Sequence, residues 1–216
     1  MAVTLRSSRE IEQMRAAGSI VADVLLKLKE TAKPGITTGD LDRLATKMAA
    51  AAGAKTLFKG VRSPGAKKPF PGAICASVNH EVVHGIPSDE NPLAEGDVLS
   101  VDFGVKLKGY CGDSAVTIPI GRIAPETQRL LDVTQEVLAI AVREVRPGIR
   151  WSQVARQMQK HAEQAGYGVV RDFVGHGIGT QMHEDPRVPN FVSRELLADD
   201  IYLAEGMVLA IEPMIN

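Results

Sequence analysis

Apolar residues recur at helical spacing near the start of the chain, at Ile11, Met14, Val21, Leu25 and Leu28, with Gly18 on the same stripe. Steps of three and four line one face of a helix. Ser7-x-x-Glu10 ahead of them is a capping box, so the pattern predicts a helix from about Ser8 to Ala32. Pro34-Gly35 ends it. Thr37 or Thr38 caps a second predicted helix, which reaches Ala52 and stops at Gly53. Residues 57–73 are rich in Gly, Pro and Lys and read as loop. From Ile74 the period shortens to that of strands. Ile74–Val78 and Val98–Val105 are predicted strands, Lys108-Gly109 a hairpin turn, and Tyr110–Ile120 the return strand. Pro125–Val145 reads as helix up to Arg146-Pro147-Gly148, and a further helix covers about Ser152 to Gln164. Gly168–Val174 and Met207–Ile211 are predicted strands.

The pattern has an internal echo. Lys33-Pro34-Gly35-Ile36 recurs as Arg146-Pro147-Gly148-Ile149, and Gly53-Ala54 is matched by Gly166-Tyr167. A long helix, a Pro-Gly break and a shorter helix precede strands both times. This predicts one α+β domain over residues 1–216, in two related halves of about 1–120 and 121–216. Binding sites often form between such halves.

Composition narrows the function classes. A chain of 216 residues with 44% hydrophobic and 24% charged residues can bury a core, which excludes a disordered or disulfide-stapled chain. The net charge of −1 gives no electrostatic case for binding nucleic acid or an anionic membrane. No apolar run reaches transmembrane length, and Cys75 and Cys111 have no metal-knuckle spacing. The expected location is the cytoplasm.

Two regions carry candidate chemistry. A two-residue turn at Lys108-Gly109 would pair Leu107 with Tyr110 and set Asp102 opposite Ala115. Asp113 would then share a face with Asp102, diagonally adjacent. Like charges that close repel unless a proton or cation lies between them. The alternative is an exposed hairpin with two solvated aspartates, against which the apolar run around Asp102 argues. In the second region, Gly175-His176-Gly177-Ile178-Gly179 leaves one imidazole uncrowded. His183 follows, and Glu212 ends an apolar strand. Together two Asp, one or two His and a Glu make an oxygen and nitrogen ligand set suited to Mn, Fe, Co or Zn. A rival motif, His80-Glu81-Val82-Val83-His84, spells the zincin signature, but that works only on a helix and Gly85-Ile86-Pro87 follows at once.

Taken together these stretches resemble the type I methionine aminopeptidases of the pita-bread metallopeptidase superfamily. The resemblance rests on Ile74-Cys75, Ser77-Val78-Asn79, Glu81 to Pro87, Gly96-Asp97, Val101-Asp102, Gly112-Asp113, Gly175 to Gly179, His183-Glu184 with Pro186, and Glu212-Pro213-Met214. It implies two pseudo-symmetric halves with antiparallel curved sheet covered by helices. It implies two divalent metal ions, with Asp102 and Asp113 as carboxylate ligands, Asp113 bridging, and His176 and Glu212 on the second ion. His84 would contact the scissile peptide, His183 its carbonyl, and Glu212 would shuttle a proton while activated water attacks the first peptide bond. Phe70, Cys75 and Met182 would line the methionine pocket. The implied substrates are N-termini of newly made polypeptides with a small second residue, with ribosome association and a monomeric state as further expectations.

The chain departs from the resembling family in two ways. The family carries a fifth ligand, a bridging Glu in a final strand, whereas this sequence stops at Asn216 just after Glu212-Pro213, so the expectation is a fold lacking its last strand. The pocket segment reads Gly65-Ala66-Lys67-Lys68-Pro69-Phe70-Pro71, where the family has aromatic-Gly-aromatic-Pro character. Two further functions compete: a pita-bread homologue acting as a binding protein, and an Xaa-Pro dipeptidase. The complete set Asp102, Asp113, His176 and Glu212 argues against the first, and the wording of the GHGIG and IEPM motifs against the second.

Overall fold

A computed structural model describes residues 3–62 and 67–216, so Gly65 and Ala66 of the anticipated pocket segment lie outside the described residues. The chain divides into two compact units, one of Glu12–Ala124 and one of Pro125–Asn216 together with residues up to Ile11.

In the first unit, α1 (Ser8–Thr31) starts at the anticipated capping box. The Ser7 N–H donates to Glu10 Oε2 at 2.9 Å, and Ser7 Oγ accepts from the Glu10 N–H at 3.4 Å. Helix α2 (Thr38–Ala51) has Thr37 as its N-cap, in a reciprocal box with Asp40. The strands are β1 (Lys55–Thr56), β2 (Ile74–Val78), β3 (Val98–Leu107) and β4 (Tyr110–Pro119), all antiparallel. β4 runs along the whole of one edge of β3, and β1 and β2 share the other edge. Lys108 (φ 48°) and Gly109 (φ 94°) are both left-handed, which a two-residue hairpin turn matched to strand twist requires.

Strand alternation divides this sheet chemically. Leu99, Val101, Phe103 and Val105 of β3 are fully buried in one core with Ala17, Val21, Leu28 and Leu41 from the two helices. The even positions, Asp102 and Gly104 among them, therefore turn to the other face. Gly112, opposite Val105, lies on the helix side, where a Cβ would come within 2.6 Å of the Gly18 backbone nitrogen. A glycine is required there because α1 passes directly over β4.

In the second unit, α3 (Pro125–Glu144) and α4 (Trp151–Gln164) pack over β5 (Gly175–Gly177), β6 (Glu184–Val188), α5 (Arg194–Ala198) and β7 (Leu209–Ala210). The sheet order is β6-β5-β7, antiparallel throughout, with an irregularity between His176 and Gly177. Trp151, Val154, Met158, Val188 and Leu203 form the core. The strand predicted at Gly168–Val174 is not formed: only Val169 bridges, to Ile215, and the strand proper starts at Gly175. The predicted strand at Met207–Ile211 shrinks to β7. A Cβ on Gly175 would lie 2.9 Å from Val188 Cγ2 and closer still to the Ala210 carbonyl, so the glycines are strand residues pressed by a neighbour on each side.

The echo in the sequence is an echo in hydrogen bonding. Gly35 (φ 90°) donates to the Leu93 carbonyl at 2.8 Å, and Leu93 donates back to Ile36 at 2.8 Å. Gly148 (φ 88°) donates to Leu203 at 2.8 Å, and Leu203 to Ile149 at 2.9 Å. Both acceptor segments read Leu-Ala-Glu-Gly, at 93–96 and 203–206, and both end in a left-handed glycine. Among the described residues no helix is long and apolar enough to cross a membrane.

The contact of α1 with β4 sets a paired expectation. Gly112→Ala forces backbone apart and should cost about 1–3 kcal/mol. Gly18→Ala, where a Cβ meets nothing within 4 Å, should instead stabilise the helix by about 1 kcal/mol. Urea unfolding of the two variants checks both signs.

Candidate metal centre

The polar face of β3 and β4 holds the first pair of candidate ligands. The register is the one the turn predicts: Leu107 pairs with Tyr110, Asp102 with Ala115 and Gly104 with Asp113. Asp102 and Asp113 are thus diagonal neighbours on one face, both half-buried. The missing side chain at Gly104 makes room for the second carboxylate, since a Cβ there would sit 3.2 Å from Asp113 Oδ1. Cys75 of β2 lies opposite Asp102 and is buried. Its thiol is pushed up to about 12, by burial first and then by the charges of Asp102 and Asp113. At neutral pH Cys75 is a protonated, small hydrophobe, neither a nucleophile nor a thiolate ligand.

The loop after β2 folds back along its open edge. Gly85 donates to Ser77 Oγ at 3.0 Å and accepts from the Ala76 N–H at 2.9 Å. A Cβ on Gly85 would reach 2.7 Å from Ser77 Cα, so only glycine fits against the strand. His84, one residue earlier, is exposed with φ 62°, and Asn79 has φ 54°. No helix forms between His80 and His84, and the zincin pattern has no structural counterpart. Phe70, half-buried, pairs back through main-chain bonds of 2.8 Å with Gly60 and Val61.

The second pair of candidate ligands lies in the other unit. His176 on β5 is opposite Ala210 on β7, so Glu212, two residues on, shares its face. His176 Nδ1 lies 2.8 Å from the Gly177 carbonyl, an acceptor, which places the ring proton on Nδ1 and leaves the Nε2 lone pair turned away. Glu212 Oε1 lies 3.1 Å from Nε2 and is buried with no hydrogen-bond donor aligned to it. Two electron-rich atoms this close call for a shared cation. The donor set, an imidazole nitrogen and a carboxylate oxygen, suits a divalent transition metal. The His183 ring packs edge-on to His176 with centroids 4.3 Å apart and is otherwise exposed, and Met182 beside it is half-buried.

Three supporting residues have no role assigned from sequence, where Glu184 enters only as part of the His183-Glu184 motif. Asn190, fully buried, donates to the Glu212 carbonyl at 2.7 Å and fixes the main chain that carries this ligand. Glu184 accepts from the Gln181 N–H at 2.9 Å and from Thr180 Oγ1 at 3.2 Å, and pairs with the buried Arg6. Burial alone would raise Glu184, but these donors outweigh it and hold its carboxyl below its ordinary value. Arg6 lies far away in sequence, and only the third glycine of the GHGIG motif hints that something packs on this loop.

Comparison with known proteins decides the family. The family model described as metallopeptidase family M24 matches residues 12–216. The chain belongs to metallopeptidase family M24. Over 214 residues it is 46% identical to the methionine aminopeptidase of Clostridium acetobutylicum, covering 99% of this chain and 82% of that protein. The crystal structure of methionine aminopeptidase from Thermotoga maritima superposes with a TM-score of 0.91 at 38% identity, covering 99% of this chain and 82% of that one. The fold is accordingly the pita-bread fold. An Xaa-Pro dipeptidase from Bacillus anthracis shares the fold alone, with a TM-score of 0.80 at 22% identity, covering 97% of this chain and 54% of that one. Family M24 is a family of metallopeptidases, and the facing nitrogen and oxygen of His176 and Glu212 are a donor set that fits a divalent ion.

Glu212→Gln tests that fit. It should weaken Mn²⁺ binding by at least about tenfold, because a carboxylate ligand is lost. In metal-free buffer the same variant should melt no lower than the parent, since an amide there can donate to His176 Nε2 where the carboxylate cannot. Calorimetric titration and a thermal melt of one preparation measure both.

Proposed function

We propose that this chain is a methionine aminopeptidase, removing the first methionine from newly made polypeptides whose second residue is small. The observation that carries the reading is the converging His176 and Glu212 lone pairs, in a chain 46% identical to a methionine aminopeptidase. The Xaa-Pro reading has only a fold likeness at 22% identity behind it, and a ligand-free binding protein would have no need to keep these electron-rich pairs. The chain acts in the cytoplasm as a monomer, on N-termini at or near the ribosome.

The residues divide the work as follows. Asp102 and Asp113 would hold a divalent ion as carboxylate ligands, and His176 and Glu212 would hold one as imidazole and carboxylate ligands. Bound Co, Mn, Fe or Zn supplies Lewis acidity that polarises the carbonyl and acidifies water. The Glu212 carboxylate accepts the proton from water and delivers it to the leaving amine. His84 hydrogen-bonds the scissile peptide from its exposed loop. His183 donates to the carbonyl oxygen, where negative charge grows in the transition state. The methionine side chain lies against Phe70, Met182 and the protonated Cys75, which is apolar enough to serve as wall.

Exhaustive chelation should abolish methionine release from a Met-Ala-Ser peptide, and Co, Mn, Fe or Zn should restore it; release that persists in the chelated protein defeats the metal mechanism. His84→Ala and His183→Ala should each lower kcat by about 10²-fold while leaving Mn²⁺ affinity unchanged, because neither is a ligand. Steady-state kinetics beside a metal titration separates this from a ligand role, which would show as lost affinity.

A further inference from the structure

We propose that Arg6 is a positioning residue for His183, acting through Glu184; the proposal rests on the aminopeptidase reading. Arg6 precedes the first helix, and its main chain is fastened by its N–H to the Gly206 carbonyl at 2.7 Å. Gly206 has φ 90°, and a Cβ there would meet the Arg6 carbonyl oxygen at 2.8 Å. The Arg6 side chain is only 7% exposed, and it ion-pairs with Glu184 and, at 3.5 Å, with Glu10. It also explains the third glycine of the GHGIG motif, since a Cβ on Gly179 would lie 2.7 Å from Arg6 Nε.

The Glu184 carboxylate ties three points together: the Arg6 guanidinium, the Gln181 N–H at 2.9 Å and the Thr180 hydroxyl at 3.2 Å. These bonds close residues 180–184 into a short loop. His183 stands immediately before the tied residue, with its ring 4.3 Å from that of His176. Its main chain is held from behind while its ring stays exposed to substrate. A buried ion pair adds little net stability, because desolvation offsets the attraction. What Arg6 contributes is direction: a planar guanidinium on a fastened backbone fixes where Glu184, and with it His183, can lie.

The test uses the parent chain, Arg6→Met, Arg6→Lys and Glu184→Gln, each supplied with excess Mn²⁺. Arg6→Met should lower kcat for a Met-Ala-Ser peptide by about tenfold, with KM and Mn²⁺ affinity within about twofold. Amide exchange at Gln181 should accelerate by about tenfold, while that of the 98–119 hairpin stays as in the parent. Arg6→Lys, which keeps charge but not the planar fork, should fall between. If Arg6→Met does not fold, Glu184→Gln, which preserves size, gives the same readouts. Unchanged kcat together with unchanged exchange at Gln181 overturns the proposal. A fall in Mn²⁺ affinity matching the fall in kcat also overturns it, by making the effect one on the ligands. A parent chain that releases no methionine defeats the aminopeptidase reading instead. In that case exchange at Gln181 still decides whether Arg6 holds the loop.

Discussion

Electron-rich side chains brought close together without a cation repel, and much of this structure can be understood as what is needed to hold them so. The β3–β4 hairpin does it by alternation. Its odd positions on β3 are anchored in a helix-covered core, which leaves Asp102 no choice of face. The energy that fixes the aspartates is therefore hydrophobic burial on the opposite side of the strand, not any attraction between the carboxylates. In the other unit the β5–β7 pairing does the same for His176 and Glu212, again as diagonal neighbours. Each pair is built by strand register, and a one-residue slip in either would turn one ligand away from the other.

Glycines mark where backbone or a functional group needs the space of a side chain. Gly104 leaves room for the Asp113 carboxylate, Gly112 lets α1 cross β4, and Gly175 lets β5 fit between its neighbours. These are steric requirements rather than flexibility, since none of the three has a left-handed φ. In the segment of residues 175–179 the same amino acid serves two ends: Gly177 offers its carbonyl to orient His176, and Gly179 admits the Arg6 guanidinium.

The legibility of this chain follows the range of the interactions. The hairpin register was readable residue by residue because a two-residue turn determines it locally, and Lys108-Gly109 lies beside the strands it joins. Helices α1 to α4 were readable to within a residue or so, the first two through local caps, Ser7 with Glu10 and Thr37 with Asp40, whereas the short α5 was not anticipated. The second sheet was not. Its strands are short, two of the three residues of β5 are glycine, and what makes them strands is contact with Val188 and Ala210. Strand β6 contains Pro186 and two acidic residues, a composition that argues against a strand until its partner is known. Arg6 and Glu184 are 178 residues apart, and no pattern within a window links them.

The chemistry of the centre and the stability of the chain pull in opposite directions at the same atoms. Glu212 Oε1 is buried and lacks a donor, which is costly in a protein without its ion. Filling that position with a donor would satisfy the oxygen and remove its use, because a carboxylate already hydrogen-bonded there is a poorer ligand and a poorer base. The neighbouring support is arranged so as not to do this: Asn190 holds Glu212 through its main-chain carbonyl, and His176 is oriented through Nδ1, so that neither bond uses the two atoms that face each other. Orientation is applied one bond away from the two facing atoms, which leaves them disposed toward a shared cation such as the divalent ion proposed for this site.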